Sequence, residues 1–203
     1  MKLYHHPASP NSRKVLAVAK HLGVPLDLER VDIMKGEQQG AAFLAVNPNG
    51  MVPALVDGDL RLWESNAIMA YVAGKKDSAL WPRSDARYDI MRWQSWELAH
   101  FGPACSIFIA ENMIKPMMGQ EPDKTRLDEG RKELARFAGV LDAHLTSRAY
   151  LVGDALTLAD FSVAAVLGYA SAAKIPLGDY ASVRKWLGRL DEIPAWKETA
   201  PQG

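Results

Sequence analysis

The spacing of apolar positions changes character about a third of the way along the chain. Residues 2–5, KLYH, read as a short strand, and Val15, Val18, Ala19 and Leu22 then recur at helical spacing up to Gly23, a helix stop. Leu26 and Leu28 alternate with polar neighbours, which predicts a second strand within 25–33. GEQQGAAFLAV (36–46) reads as a short helix bracketed by glycines, and NPNG (47–50) as a turn. VPALV (52–56) and LRLWE (60–64) flank Asp57-Gly58-Asp59, a hairpin signal, because Asp-Gly supplies the positive φ a tight turn needs. Ser65 can then cap a helix over NAIMAYVA (66–73). The order is βαβ, helix, β-hairpin, helix.

Residues 74–85, GKKDSALWPRSD, combine charge, glycine and proline and read as a linker. Everything after it has the period of helices. Residues 86–113 form one long pattern, expected to bend at Gly102-Pro103, where proline removes a backbone donor. A polar loop (115–124) separates it from a helix over 125–145. Thr157-Leu-Ala-Asp160 is a capping box opening an apolar helix (157–173) expected to be buried all round, with a role in folding and none in chemistry. The last helix, 180–193, is expected to end at Pro194. The expected architecture is an α/β domain over 1–76 and an all-helical domain over 86–203.

Charge and cysteine content narrow the function classes. With 24 basic and 24 acidic side chains the net charge is zero, which argues against nucleic acid or an anionic membrane as the main partner. The pairs Arg13-Lys14 and Lys75-Lys76 are expected on solvated faces. Cys105 is the only cysteine, so no internal disulfide can form; it sits in an apolar run and reads as a small core residue. The opening MKLYHHPASP lacks the apolar core of a signal peptide, and stretches such as 161–173 fall short of the ~20 residues that span a bilayer, so the expected address is the cytoplasm. His5 and His6 point to opposite faces of a strand end and the other histidines are scattered, so no metal site is expected.

The candidate chemistry lies in HPASPNSRKVL (6–16). Ser9 fits an N-cap and Pro10 the first helical position, where the missing N–H costs nothing. A helix N-terminus also suits an anion, to which a serine hydroxyl could donate, and both readings of Ser9 stand at this point. No Cys-x-x-Cys is present, so any thiol chemistry would need a sulfur carried in by a ligand.

Together, HPASPNSRKVL, NPNGMVPALVDGDLRLWESNAIMAYVA (47–73) and YLVGDALTLADFSVAA (150–165) resemble the glutathione transferase superfamily, nearest its serine-type, phi- and theta-like branch and bacterial relatives. The resemblance implies a thioredoxin-like N-terminal domain that binds glutathione as co-substrate, without a metal. An all-helical C-terminal domain would contribute the pocket for a small apolar electrophile. It assigns Ser9, with Asn11 sharing the work, to the sulfur. The Val52 main chain, before a cis Pro53, would pair with the cysteinyl backbone, and Glu64 and Ser65 would hold the γ-glutamyl end. Gln38, Gln39 and Met51 fall near the glycine carboxylate, where neutral glutamines replace a His-Lys pair. Phe101, Cys105 and Phe108 are candidates for the second-substrate pocket. A homodimer is implied, with a glutathione-dependent peroxidase or disulfide oxidoreductase, or a non-catalytic binding module, as alternatives.

Overall fold

A computed structural model of the chain describes residues 1–201. They pack as two units, one of residues 1–82 with the segment from Ile193 onward, the other Arg83–Glu192.

In the first unit, β1 (Lys2–His5) leads into α1 (Pro10–His21) and β2 (Asp27–Arg30), which returns parallel to β1. The expected helix at 36–46 is two short pieces, a 3-10 turn at Glu37–Gln39 and α2 (Ala41–Leu44), interrupted at Gly40. β3 (Ala54–Asp57) and β4 (Leu60–Trp63) form the hairpin, with Gly58 at φ +58° as the Asp-Gly signal requires. The sheet order is β2-β1-β3-β4, with β3 antiparallel to both neighbours. α3 (Ser65–Ala73) follows and packs against α1. Leu3, Val15, Val18, Leu55, Ile68 and Met69 are completely buried between sheet and helices. β2 is an edge strand with all four residues exposed, Leu28 at 50%, so its alternation marks a strand but not a core face.

Arg13 and Lys14 do not lie on a solvated face: they are 5% and 0% exposed. Arg13 lies 3.6 Å over the Trp196 ring and donates from Nη2 to the Trp196 carbonyl at 3.1 Å. Trp196 belongs to α10 (Pro194–Glu198), a further helix that Pro194 opens and does not merely precede; proline is suited to a first helical position. Through this contact the last described segment packs with the first unit, although in sequence it follows the helical one.

The second unit is helical throughout. α4 (Ala86–Trp96), α5 (Gly102–Ile109) and α6 (Lys115–Met117) form one continuous run, which extends past the expected loop boundary at 115. The run does not break at Pro103. A π-helical turn at Glu97–Phe101 comes just before it, and a second at Ala110–Ile114 precedes Pro116; each wide turn accommodates a missing proline N–H. α7 (Lys124–Leu145) is capped by Asp123, whose carboxylate accepts from the Thr125 and Arg126 N–H groups. All residues of α8 (Leu158–Ala165) are buried, and the helix tightens to 3-10 geometry at Val166–Tyr169. α9 (Ala181–Asp191) closes the unit. No helix among the described residues is long and apolar enough to cross a membrane.

Candidate functional site

The turn between β1 and α1 is held by its own side chains. His6 is buried; its Nδ1 accepts the Ala8 N–H at 3.2 Å, and its N–H donates to Ser12 Oγ at 3.3 Å. Ser9 Oγ accepts the Ser12 N–H at 3.2 Å and so caps α1. A hydroxyl that accepts a hydrogen bond still has its own proton to donate. Capping the helix and serving an anion are therefore compatible roles for Ser9.

A second support is the loop before β3. Asn47 is 2% exposed; its Nδ2 donates to the Met51 carbonyl at 2.6 Å, and its Oδ1 accepts from the Asn49 N–H at 3.1 Å. Gly50 takes φ +61° beside Gln39, whose Nε2 would lie 2.6 Å from any Cβ placed there. These contacts shape residues 47–51 ahead of the cis Val52-Pro53 bond.

The third support is the β4–α3 junction. Glu64 takes φ +68° and ψ +111°, a conformation L side chains rarely adopt, and strain of this kind concentrates at functional sites. It is followed by Ser65, 5% exposed in the first turn of α3, whose Oγ donates to Asn11 Oδ1 at 3.2 Å.

Between these supports lies a cavity of about 230 Å³ lined by Asn11, Asn47, Asn49, Met51, Val52, Pro53, Glu64 and Ser65. Residues from the first turns of two helices face it, so it has the polarity that suits anionic groups. Among the described residues Glu64 is the only charged one in the lining, and it suits an ammonium. One compact ligand carrying carboxylate and ammonium ends fits that pattern.

Six residues expected in the site therefore converge: Asn11, Met51, Val52, Pro53, Glu64 and Ser65. Ser9, Gln38 and Gln39 are not in the lining. Gln39 Nε2 is spent on the Gly50 carbonyl at 3.5 Å, and the buried Gln38 Oε1 has no hydrogen-bond partner. Asn47 and Asn49 were not anticipated beyond their turn; the paired asparagines of NPNG were the available signal, since asparagine bonds its own backbone in turns. In the second unit Phe101, Cys105 and Phe108 are 0%, 0% and 1% exposed, with Phe101 stacked on Trp96 at 5.2 Å. Burial, and then the Glu97 carboxylate, push the Cys105 thiol far above its ordinary range, so it stays protonated and inert. Among the described residues no three His, Cys, Asp or Glu side chains group as a metal site would need.

Comparison with known proteins gives a consistent result. The family model described as glutathione S-transferase, N-terminal domain, matches residues 1–74, and the C-terminal domain model matches residues 100–194. Glutathione S-transferase 3 of Zea mays is 35% identical over 98% of this chain and 92% of its own length. Glutathione S-transferase F9 of Arabidopsis thaliana is 34% identical over 98% and 95%. Glutathione transferase F7 from Populus trichocarpa superposes with a TM-score of 0.89 at 30% identity, covering 98% of this chain and 97% of that one. The structure of glutathione S-transferase-I bound with lactoylglutathione gives the same TM-score, identity and coverage.

Proposed function

The chain belongs to the glutathione S-transferase family and is a glutathione transferase, and on that premise we propose how its first unit performs the reaction. Glutathione occupies the cavity at the N-termini of α1 and α3. The strained Glu64 takes the ammonium of the γ-glutamyl end, and the backbone N–H of Ser65, in the first turn of α3, takes its carboxylate. The main chain of Val52 pairs with the cysteinyl residue as an added strand edge would. The sulfur then lies against the first turn of α1, within reach of donors from Ser9 and Asn11.

The chemistry is ionisation of the glutathione S–H, the proton leaving to water and the sulfur keeping the electron pair. That pair attacks an electrophilic carbon of an apolar second substrate and displaces its leaving group. A free cysteine thiol has a pKa of ~8.5, and lowering it by about two units takes ~2.7 kcal/mol of anion stabilisation. One hydrogen bond to the charged sulfur contributes ~1.5–3 kcal/mol and the helix terminus ~0.3–1 kcal/mol, which is sufficient. The observation that carries this proposal is the convergence of Asn11, Val52 and the Glu64-Ser65 pair, from three separate segments, on one cavity.

Gln38, Gln39 and Met51 lie at the glycine end in this reading, where neutral side chains stand in place of a cationic pair and glutathione is held modestly unless another base such as Lys35 serves. Cytoplasmic detoxification by a homodimer, with Phe101, Cys105 and Phe108 behind the second-substrate pocket, completes the proposal. The resemblance supports the dimer. A turnover screen with glutathione and an aryl halide, an organic hydroperoxide or a small disulfide tests the reaction class. Conjugation of the halide is expected to dominate; turnover of hydroperoxide or disulfide alone would move the enzyme to the oxidoreductases.

A further inference from the structure

A primary amide has a direction: its oxygen only accepts, and its nitrogen only donates. Asn11 lines the cavity, and its oxygen is committed, because Oδ1 accepts the hydrogen bond from Ser65 Oγ at 3.2 Å. That bond places the two Nδ2 protons at the opposite end of the amide, where they have no acceptor among the described residues. Ser65 itself is fixed, being 5% exposed in the first turn of α3. Neither residue is near the other in sequence; the pairing exists because α1 and α3 pack side by side. If the Ser65 hydroxyl were absent, nothing in the lining would keep the Asn11 oxygen from turning toward the cavity. A carbonyl oxygen facing a thiolate repels it.

From this geometry we infer that Ser65 is a positioning residue for the thiolate. Its hydroxyl fixes the Asn11 amide so that Nδ2, the catalytic donor, faces the sulfur. The inference rests on the proposal that the glutathione thiolate occupies this cavity, and adds to it a role for the Ser65 hydroxyl separate from the contact of the Ser65 backbone N–H with the ligand's carboxylate. Ser9 keeps its cap on α1 and supplements Asn11 at the sulfur.

The test is the ultraviolet absorbance of bound thiolate against pH for wild type, Ser65→Ala, Ser65→Thr, Asn11→Ala and the Ser65→Ala/Asn11→Ala double variant, each saturated with glutathione. Ser65→Ala and Asn11→Ala should each raise the bound thiol's pKa by about one unit, a tenfold loss of thiolate preference. The double variant should rise no further than the larger single change, since both act through one hydrogen bond. Ser65→Thr should restore the wild-type titration. In ligand-free protein, the Asn11 side-chain amide resonance should shift in Ser65→Ala, a readout that needs no chemistry. The inference is overturned if Ser65→Ala only weakens glutathione binding, or if the two pKa shifts add. A wild-type bound thiol with an ordinary pKa overturns both the inference and the thiolate proposal beneath it.

Discussion

Replacing Asp160 by alanine should destabilise this protein far more than loss of a helix cap would. Asp160 is completely buried at the start of α8, and both carboxylate oxygens are saturated. Oδ2 accepts from the Thr157 N–H at 2.9 Å and Thr157 Oγ1 at 3.1 Å, forming the capping box. Oδ1 accepts from the Leu151 N–H at 2.9 Å and from Trp186 Nε1 at 3.0 Å. One side chain therefore ties the 151–157 loop, α8 and α9 together. The cap alone contributes ~0.5–2 kcal/mol. Truncation also leaves the Leu151 N–H and the Trp186 indole N–H without an acceptor, at ~1–3 kcal/mol each. Against this, a buried carboxylate is removed, and burial pushes Asp160 toward protonation despite its four donors. Allowing for that relief, the net loss is about 3–4 kcal/mol, or a fall in Tm of roughly 6–16 °C for a chain this size. Thermal unfolding followed by circular dichroism measures it. Asp160→Asn should be nearly as damaging, because its NH₂ end must meet donors. A loss of only ~1 kcal/mol in both variants would show that the Leu151 and Trp186 contacts carry no weight and that Asp160 is a cap alone.

Two further outcomes are expected. Glu64→Gly should be no less stable than Glu64→Ala, and more stable by about 1 kcal/mol, because glycine adopts φ +68° without strain while both variants lose the carboxylate proposed to bind the ammonium. A less stable glycine variant in urea titration would remove the strain from the description of the site. Glu111 is held below its ordinary carboxylate range by hydrogen bonds from Lys115 Nζ at 2.6 Å and the Asp123 N–H at 2.7 Å, and by the Lys115 charge. Since the folded state is the more acidic, this stabilisation is present above pH 4.5 and is lost as pH falls through the lower folded value. Glu111→Gln should therefore flatten the acid limb of stability against pH, and an unchanged acid limb would contradict it.

Local chemistry made much of the fold legible in the sequence. Asp57-Gly58 announced its hairpin, Ser9-Pro10 the start of α1, and Thr157-x-x-Asp160 the capping box, because each depends on neighbours within four residues. The unreadable parts depended on distant partners. Arg13 is buried because Trp196, 183 residues away, accepts its hydrogen bond, and no periodicity reveals that. Nor does a proline announce whether a π turn will precede it, as happens at Pro103 and Pro116. The same division holds for the site. Glu64, Ser65 and Val52 were recoverable from a resemblance carried by contiguous motifs, whereas Asn47 entered through a fold-back onto Met51. The bond between Asn11 and Ser65 spans 54 positions and needed the packing of two helices to appear.

The central claim is that the first turn of α1 holds glutathione as its thiolate at neutral pH. The pKa of the bound thiol, read from thiolate absorbance in wild type beside Ser9→Ala and Asn11→Ala, tests it directly. The wild-type value should lie about two units below the ~8.5 of a free thiol. One or both variants should move it back by a unit or more, with at least tenfold slower conjugation at neutral pH that partly recovers as pH rises. A wild-type bound thiol that titrates near 8.5, or a depressed value untouched by either substitution, would contradict it.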